Sequence, residues 1–355
     1  MALASTQLHP CDWRGLIRSG IHDPGDLPPS FSGDPDALGE VARVYPMRIN
    51  RYFWERLLEK GEPLARQVIP DPRELDDTAG LEDPLGEEKD SPVLHLTHRY
   101  PDRVLFVVTL ECAVYCRFCT RKRKVGRAGG VTDDTIRAGL AYIAAHPGIR
   151  DVLVSGGDPL MLSDTKLGGI LESLRRIPHV RVIRIGTRMP GVLPRRITAG
   201  LIRVLKKAHP LFMNLHFNHP EEITEEVRSA VEKLADAGIP LGCQTVLLRG
   251  INDRPEILER LFTELIGMRI RPYYLLQGDL ARGADHFRTP LETGLGILRA
   301  LRGRISGLAL PALMVDLPGG GGKVPLCPDY VVQKEAAAWT FRNYLGRPYR
   351  YPQPE

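Results

Sequence analysis

Three cysteines, Cys112, Cys116 and Cys119, fall within eight residues of the stretch ECAVYCRFCTRKRK. A cube-shaped four-iron, four-sulfur cluster wants a ligand at each iron corner, and thiolates are the usual ones, so three cysteines leave one iron open to a reactant. A structural zinc ion would want a fourth Cys or His at a paired spacing, and none lies nearby. The remaining cysteines, Cys11, Cys243 and Cys327, are isolated, a poor disulfide framework that fits a reducing cytoplasm better. The second chemical stretch is MVDLPGGGGKVPL, residues 314–326. It is not a P-loop, which needs Gly at 317 and Ser or Thr at 324 where this chain has Leu317 and Val324. A lysine held beyond a glycine turn, Lys323, could form a Schiff base with an aldehyde cofactor, helped by a pKa lowered on burial.

The elements that must position these groups are strands alternating with amphipathic helices. Strands are expected at VLFVVTL from 104, DVLVSGG from 151, VRVIRIGT from 180, LFMNLHF from 211, PLGCQTVLL from 240 and IRPYYLLQ from 270, the last four starting about 30 residues apart. Pro220 is read as the first residue of one helix, with Gly238 its stop, and Asp253 as the N-cap of another with Glu256 three residues on. Six such units give a parallel sheet curled into a partial barrel with its functional groups at the strand C-terminal ends; a doubly wound open sheet is the alternative. The cysteines follow the first strand, and SGGDPL, with Gly156, Gly157 and Asp158, ends the second, where close glycines let the backbone approach a ligand.

Residues 1–95 read as a helical, irregular region around one helical stretch, DALGEVARVYPMRINRYFWERLLEKG; residues 96–310 as the partial (β/α)6 barrel; and residues 311–355 as the lysine segment and a terminal helix. The net charge of +5, from 48 basic and 43 acidic residues, is too small to demand a polyanionic partner. The N-terminus has no apolar signal core and no apolar run approaches the ~18 residues of a membrane span, so the chain is expected to be soluble and cytoplasmic.

CxxxCxxC with Phe118 before its last cysteine resembles the radical S-adenosylmethionine (SAM) motif. Together with LTHRYPDRVLF, CRFCTRKR, HFNHP, QTVLLRGIND, RPYYLLQGDLARGADHFRTP and DLPGGGGKVP, it makes residues 35–345 similar to the lysine 2,3-aminomutase family. The resemblance implies an α/β, TIM-like radical SAM barrel carrying a [4Fe-4S] cluster on Cys112, Cys116 and Cys119. It implies SAM contacts at the Gly156–Asp158 motif, His216 and Gln244. Pyridoxal 5′-phosphate (PLP) would sit on Lys323, with Arg99 and Arg103 around it and its phosphate. Arg121 would pair with the substrate carboxylate, and Asp279 and Asp316 would bracket the ε-ammonium of L-lysine. The activity implied is transfer of the 2-amino group of lysine to carbon 3 to give β-lysine, by a homodimer fed by an external electron donor such as flavodoxin or ferredoxin.

Arg254 stands where longer relatives carry a zinc-site cysteine, so no structural zinc is expected. Alternatives are the same chemistry on ornithine, arginine or glutamate, or β-lysine supply for modifying elongation factor P. Outside catalysis the alternative is a metal-stabilised nucleic-acid-binding module using the basic run at residues 117–127. Only Phe118 is aromatic there, which argues against stacked bases and against a nucleic-acid partner.

Overall fold

The computed structural model describes residues 12–127 and 130–354; Cys11 lies outside them. Five short helices come first: α1 (Trp13–Arg18), α2 (Pro29–Ser32), α3 (Pro35–Val44), α4 (Arg51–Lys60) and α5 (Glu62–Ala65). The single helical stretch expected around residues 36–61 is thus two helices. Pro46 cannot donate to a continuing helix, and Asn50 starts the second by accepting from the Phe53 N–H at 3.0 Å.

The main sheet has nine strands in strictly sequential order, which excludes the doubly wound alternative, whose order reverses at a switch point. β1 (Leu96–Tyr100) is antiparallel to β2 (Arg103–Val107). Then follow α6 (Asp133–Ala145), β3 (Asp151–Ser155), α7 (Asp164–Arg175), β4 (Val182–Thr187), a single turn α8 (Met189–Val192), α9 (Ala199–Lys206), β5 (Leu211–His216), α10 (Glu225–Asp236), β6 (Leu241–Leu247), α11 (Pro255–Gly267), β7 (Ile270–Gln277), α12 (Leu291–Leu301) and β8 (Ala312–Leu317). β2 to β8 are parallel, and β9 (Gly322–Leu326) returns antiparallel to β8. Six strand–helix units and a closing strand therefore make the barrel. Its edges meet without a ladder, where the Lys323 N–H on β9 donates to the Tyr100 hydroxyl on β1 at 3.1 Å.

Alternation along the strands separates the two faces. In β6, Leu241, Cys243, Thr245 and Leu247 are buried, while Gly242, Gln244 and Val246 take the other side. Four of the helices behind the sheet start on a hydroxyl cap, Thr132, Ser163, Thr198 and Thr224, each accepting a backbone N–H three residues on. Thr224 corrects one expectation: Pro220 opens only a single 3-10 turn, and α10 begins after it. The residue before α11 is Arg254, with no side-chain cap, so Asp253 is not the N-cap. Gly238 does end α10, at φ +76°.

The C-terminal segment corrects another. Among the described residues no terminal helix forms; β10 (Val331–Lys334), β11 (Ala338–Arg342) and β12 (Pro348–Pro352) make a separate antiparallel sheet. Trp339, Thr340, Phe341, Tyr349 and Tyr351 favour strands, and Asn343 closes the hairpin by accepting from the N–H groups of Leu345 and Arg347, each at 3.0 Å. One apolar core runs from Trp13 to Leu313, so the N-terminal helices share the barrel's interior packing. Among the described residues, no helix is long and apolar enough to cross a membrane.

Candidate active site

A cavity of about 670 Å3 occupies the barrel and is lined from both sheet ends, by Arg103 and Leu105 of β2 and by Met314 and Asp316 of β8. Every residue that the sequence nominated lies on its wall, from the three cysteines to Lys323. The topology explains the convergence, because all parallel strands end at one rim and each βα loop projects over it.

The cysteine loop after β2 is held by the N-terminal region. The Tyr115 N–H donates to the Arg48 carbonyl and that of Arg117 to the Gln67 carbonyl, both at 2.9 Å. Glu74, only 1% exposed, accepts from Arg117 at 2.9 and 2.6 Å and from Lys122 at 2.7 Å. Burial opposes its charge, but the two cations outweigh it and hold the carboxyl below the usual range. Lys122 also donates to the carbonyls of Arg117 and Gly283, at 2.9 and 2.8 Å, and sits 4.2 Å over the Tyr45 ring. Burial brings its pKa down to about 8, still charged at neutral pH.

Arg121 pairs with Glu87, Arg123 with Asp83 and Glu88, and Lys124 with Glu88. The four cations of RKRK are thus matched internally by acids between residues 74 and 88. This removes the basic surface that a nucleic-acid module would need.

Burial, chiefly, pushes the Cys112 thiol well up and that of Cys119 to about 11, with neighbouring negative groups adding to both. The sulfurs face donors: Cys116 Sγ accepts from Arg188 Nη1 at 2.8 Å and Cys119 Sγ from the Arg121 N–H at 3.3 Å. Such donors suit thiolates, and metal binding is what makes buried thiols ionise. Among the described residues, no three Cys, His, Asp or Glu side chains converge closely enough to hold one metal ion.

Three of the nominated groups also make structural contacts. Gly156, at φ +147°, and Gly157 are needed because a Cβ there would lie 2.1 Å from the Thr109 carbonyl oxygen and 2.4 Å from that of Glu111, so close packing of the β2 and β3 ends demands them. The Asp158 carboxylate is turned into the protein, accepting from the Leu160 and Arg188 N–H groups at 3.0 and 2.9 Å and from the Thr187 hydroxyl at 2.8 Å; burial raises its pKa to about 6. The Arg121 fork already carries a carboxylate, that of Glu87, to which Nε donates at 2.8 and 3.0 Å.

His216 Nε2 meets Asn218 Oδ1 at 2.9 Å, and burial, aided by Arg188, lowers its pKa to about 4, which leaves it neutral. The Gln244 side-chain oxygen Oε1 accepts from the Tyr273 hydroxyl at 3.1 Å.

At the far wall the glycine run turns through Gly319, Gly320 and Gly322, all at positive φ, and delivers Lys323 opposite Asp316 in the β8–β9 register. The Lys323 ammonium pairs with the Asp316 carboxylate, whose side chain is 6% exposed, while that of Lys323 is 32% exposed and faces the cavity. Burial lowers the Lys323 pKa and raises that of Asp279 to about 6. Arg99 donates to Asp90 at 2.8 Å and to the Leu85 carbonyl, whereas Arg103 lies 4.3 Å over the Tyr100 ring and stays 43% exposed.

Sequence reasoning missed Glu74, Glu87 and Arg188. The acid-rich DPLGEEKD facing RKRK was a readable charge complement, and Arg188 directly follows a strand end, where barrel chemistry is kept.

A sequential parallel barrel with three rim cysteines in this spacing defines a radical SAM enzyme, and the Radical SAM superfamily model matches residues 106–261. A second family model, Lysine-2,3-aminomutase, matches residues 298–355. The chain belongs to the lysine 2,3-aminomutase family. It is 46% identical over 351 residues to an L-lysine 2,3-aminomutase of Fusobacterium nucleatum, covering 97% of this chain and 83% of that protein. The enzyme of Clostridium subterminale is 45% identical over 350 residues, covering 97% and 84%. A glutamate 2,3-aminomutase of Clostridioides difficile is 45% identical over 317 residues, covering 88% and 75%.

The chain is therefore an aminomutase, an isomerase, whose cofactors are a [4Fe-4S] cluster, SAM and PLP. The residues present fit them: three thiols on the cavity wall, two of them faced by hydrogen-bond donors, and elsewhere on it an amine on a glycine turn with an exposed guanidinium.

Proposed function

We propose that this enzyme moves the 2-amino group of L-lysine to carbon 3. The observation that carries the reading is the Lys323–Asp316 ion pair, with a second, partly buried acid, Asp279, lining the same cavity. When bound, the cluster and SAM supply hydrogen-atom removal at carbon 3, and PLP carries the nitrogen during its transfer. Cys112, Cys116 and Cys119 would hold the cluster, and His216 and Gln244 would contact SAM. Lys323 would hold the PLP aldehyde, with the half-exposed Arg103 meeting the phosphate and Arg99 steadied by Asp90.

The Lys323 ammonium must lose a proton to act as an amine, and Asp316, already accepting from it, is the adjacent base. Once Asp316 has passed that proton on to solvent and Lys323 is no longer a cation, Asp316 is a carboxylate without a partner, and such a group needs another positive charge. The lysine ε-ammonium supplies it. A glutamate side chain would instead add an anion beside Asp279 and Asp316. Arg121, exchanging the Glu87 carboxylate for that of the substrate, would receive the α-carboxylate. An external one-electron donor of the flavodoxin or ferredoxin kind and a homodimeric assembly complete the reading.

The test is anaerobic reconstitution with iron, sulfide and PLP, reduction by dithionite, addition of SAM, and separate incubation with lysine, ornithine, arginine and glutamate. Mass spectrometry should find the 3-amino isomer chiefly from lysine. Preferential turnover of glutamate would overturn the assignment.

A further inference from the structure

Arg188, immediately after β4, is 8% exposed and held at both terminal guanidinium nitrogens. Its backbone N–H donates to Asp158, and its guanidinium lies between the rings of Phe118 and Phe53, 5.5 and 5.9 Å from their centroids. Nη1 donates to Cys116 Sγ at 2.8 Å; Nη2 donates to Glu222 Oε2 at 3.1 Å and to Gln67 Oε1. Glu222, 2% exposed, is itself fixed, accepting at Oε1 from the N–H groups of Asn218 and His219 at 2.9 and 3.0 Å. The order in space is sulfur, guanidinium, carboxylate. The cation touches the sulfur, and its counterion lies on the cation's far side.

We propose that Arg188 is a positioning residue that sets the reduction potential of the cluster, through a charged hydrogen bond to the Cys116 sulfur whose strength Glu222 tempers. The inference rests on the reading of Cys112, Cys116 and Cys119 as cluster ligands. One-electron reduction adds negative charge to the cluster and its thiolates. A cation in contact with a ligating sulfur stabilises the reduced state more than the oxidised one, and hydrogen bonds to the sulfurs are a recognised lever on such potentials. The site is buried, so the charge is weakly screened. The hydrogen bonds to Cys116, Glu222 and Gln67 hold the guanidinium in place. Glu222 lies farther from the sulfur and opposes the same effect, so the two residues must shift the potential in opposite directions when neutralised.

The experiment uses the full chain, reconstituted anaerobically, with Arg188→Met, Arg188→Lys, Glu222→Gln and Cys116→Ala variants. Iron and sulfide are quantified first, and the midpoint potential is then measured by paramagnetic-resonance-monitored titration without SAM. Arg188→Met should lower the reduction equilibrium at least tenfold, about 59 mV for one electron. Arg188→Lys should shift it less in the same direction, and Glu222→Gln should raise it.

Loaded variants with unchanged potentials, or Arg188→Met and Glu222→Gln shifting in the same direction, would overturn the proposal. So would an Arg188→Met enzyme whose only defect is weaker SAM binding. If Arg188→Met fails to load iron, the direction of the Glu222→Gln shift decides. Full iron retention in Cys116→Ala would refute the ligand reading itself, and with it the proposal, as a result distinct from unchanged potentials in loaded enzyme.

Discussion

Glu74→Gln should unfasten the cysteine loop from the N-terminal region. Glu74 is the one acid shared by Arg117 and Lys122, and its Oε1 also accepts the Asp71 N–H at 2.9 Å. Removing one partner of a buried pair costs about 3–5 kcal/mol, because the remaining charge stays buried. Here the cations keep other acceptors: Arg117 retains the Tyr45 and Pro46 carbonyls, and Lys122 those of Arg117 and Gly283. The lower end, about 3 kcal/mol, is therefore expected, which raises the open fraction of this unit roughly 150-fold.

The assay is amide hydrogen exchange, read at the Arg117 and Lys122 N–H groups, together with iron content after reconstitution. Both amides should exchange about two orders of magnitude faster, with reduced iron loading, while the helices behind the sheet keep their protection. Unchanged exchange at both amides would refute the clamp. The pH dependence has a fixed sign. A carboxyl whose folded pKa is depressed adds stability above its unfolded value and loses it as pH falls through the folded one, so the clamp should survive mild acid.

Asp279 has the opposite sign: raised to about 6, it gains a proton below that pH and loses its attraction for an ammonium. Lysine affinity should fall as pH drops below 6, by up to about tenfold per unit, and Asp279→Asn should abolish the inflection; a flat profile from pH 5 to 7 contradicts the assignment. Lys323→Ala should remove the PLP absorbance band and spare the iron–sulfur absorbance, and an intact PLP band would refute its role. Glu87→Gln should free the Arg121 fork, lowering both KM for lysine and thermal stability. A raised KM would remove Arg121 from carboxylate binding.

The six strands that were legible in the sequence begin within two residues of their expected starts, because β-branched runs between amphipathic helices carry a local signal. The site's membership was legible too, since motifs at strand ends reach one rim by topology. What the sequence hid was partnership. Nothing local pairs Glu74 with Lys122, 48 residues away, or Arg188 with Cys116, 72 away. Asp158, nominated as a ligand group, also ties two loops together, a contact that depends on where Thr187 and Arg188 arrive in space. The C-terminal strands failed for a different reason: an alanine-bearing stretch favours helix on propensity, while the aromatic partners at Tyr349 and Tyr351 decide for a sheet.

The most direct test of the account follows the nitrogen. Reduced, cofactor-loaded enzyme is given SAM and L-lysine carrying 15N only at the 2-amino group, and the products are resolved by mass spectrometry. The account predicts 3,6-diaminohexanoate with the label at carbon 3 and the 6-amino group unlabelled. Recovery of lysine alone, from enzyme with full iron and PLP content, would contradict it.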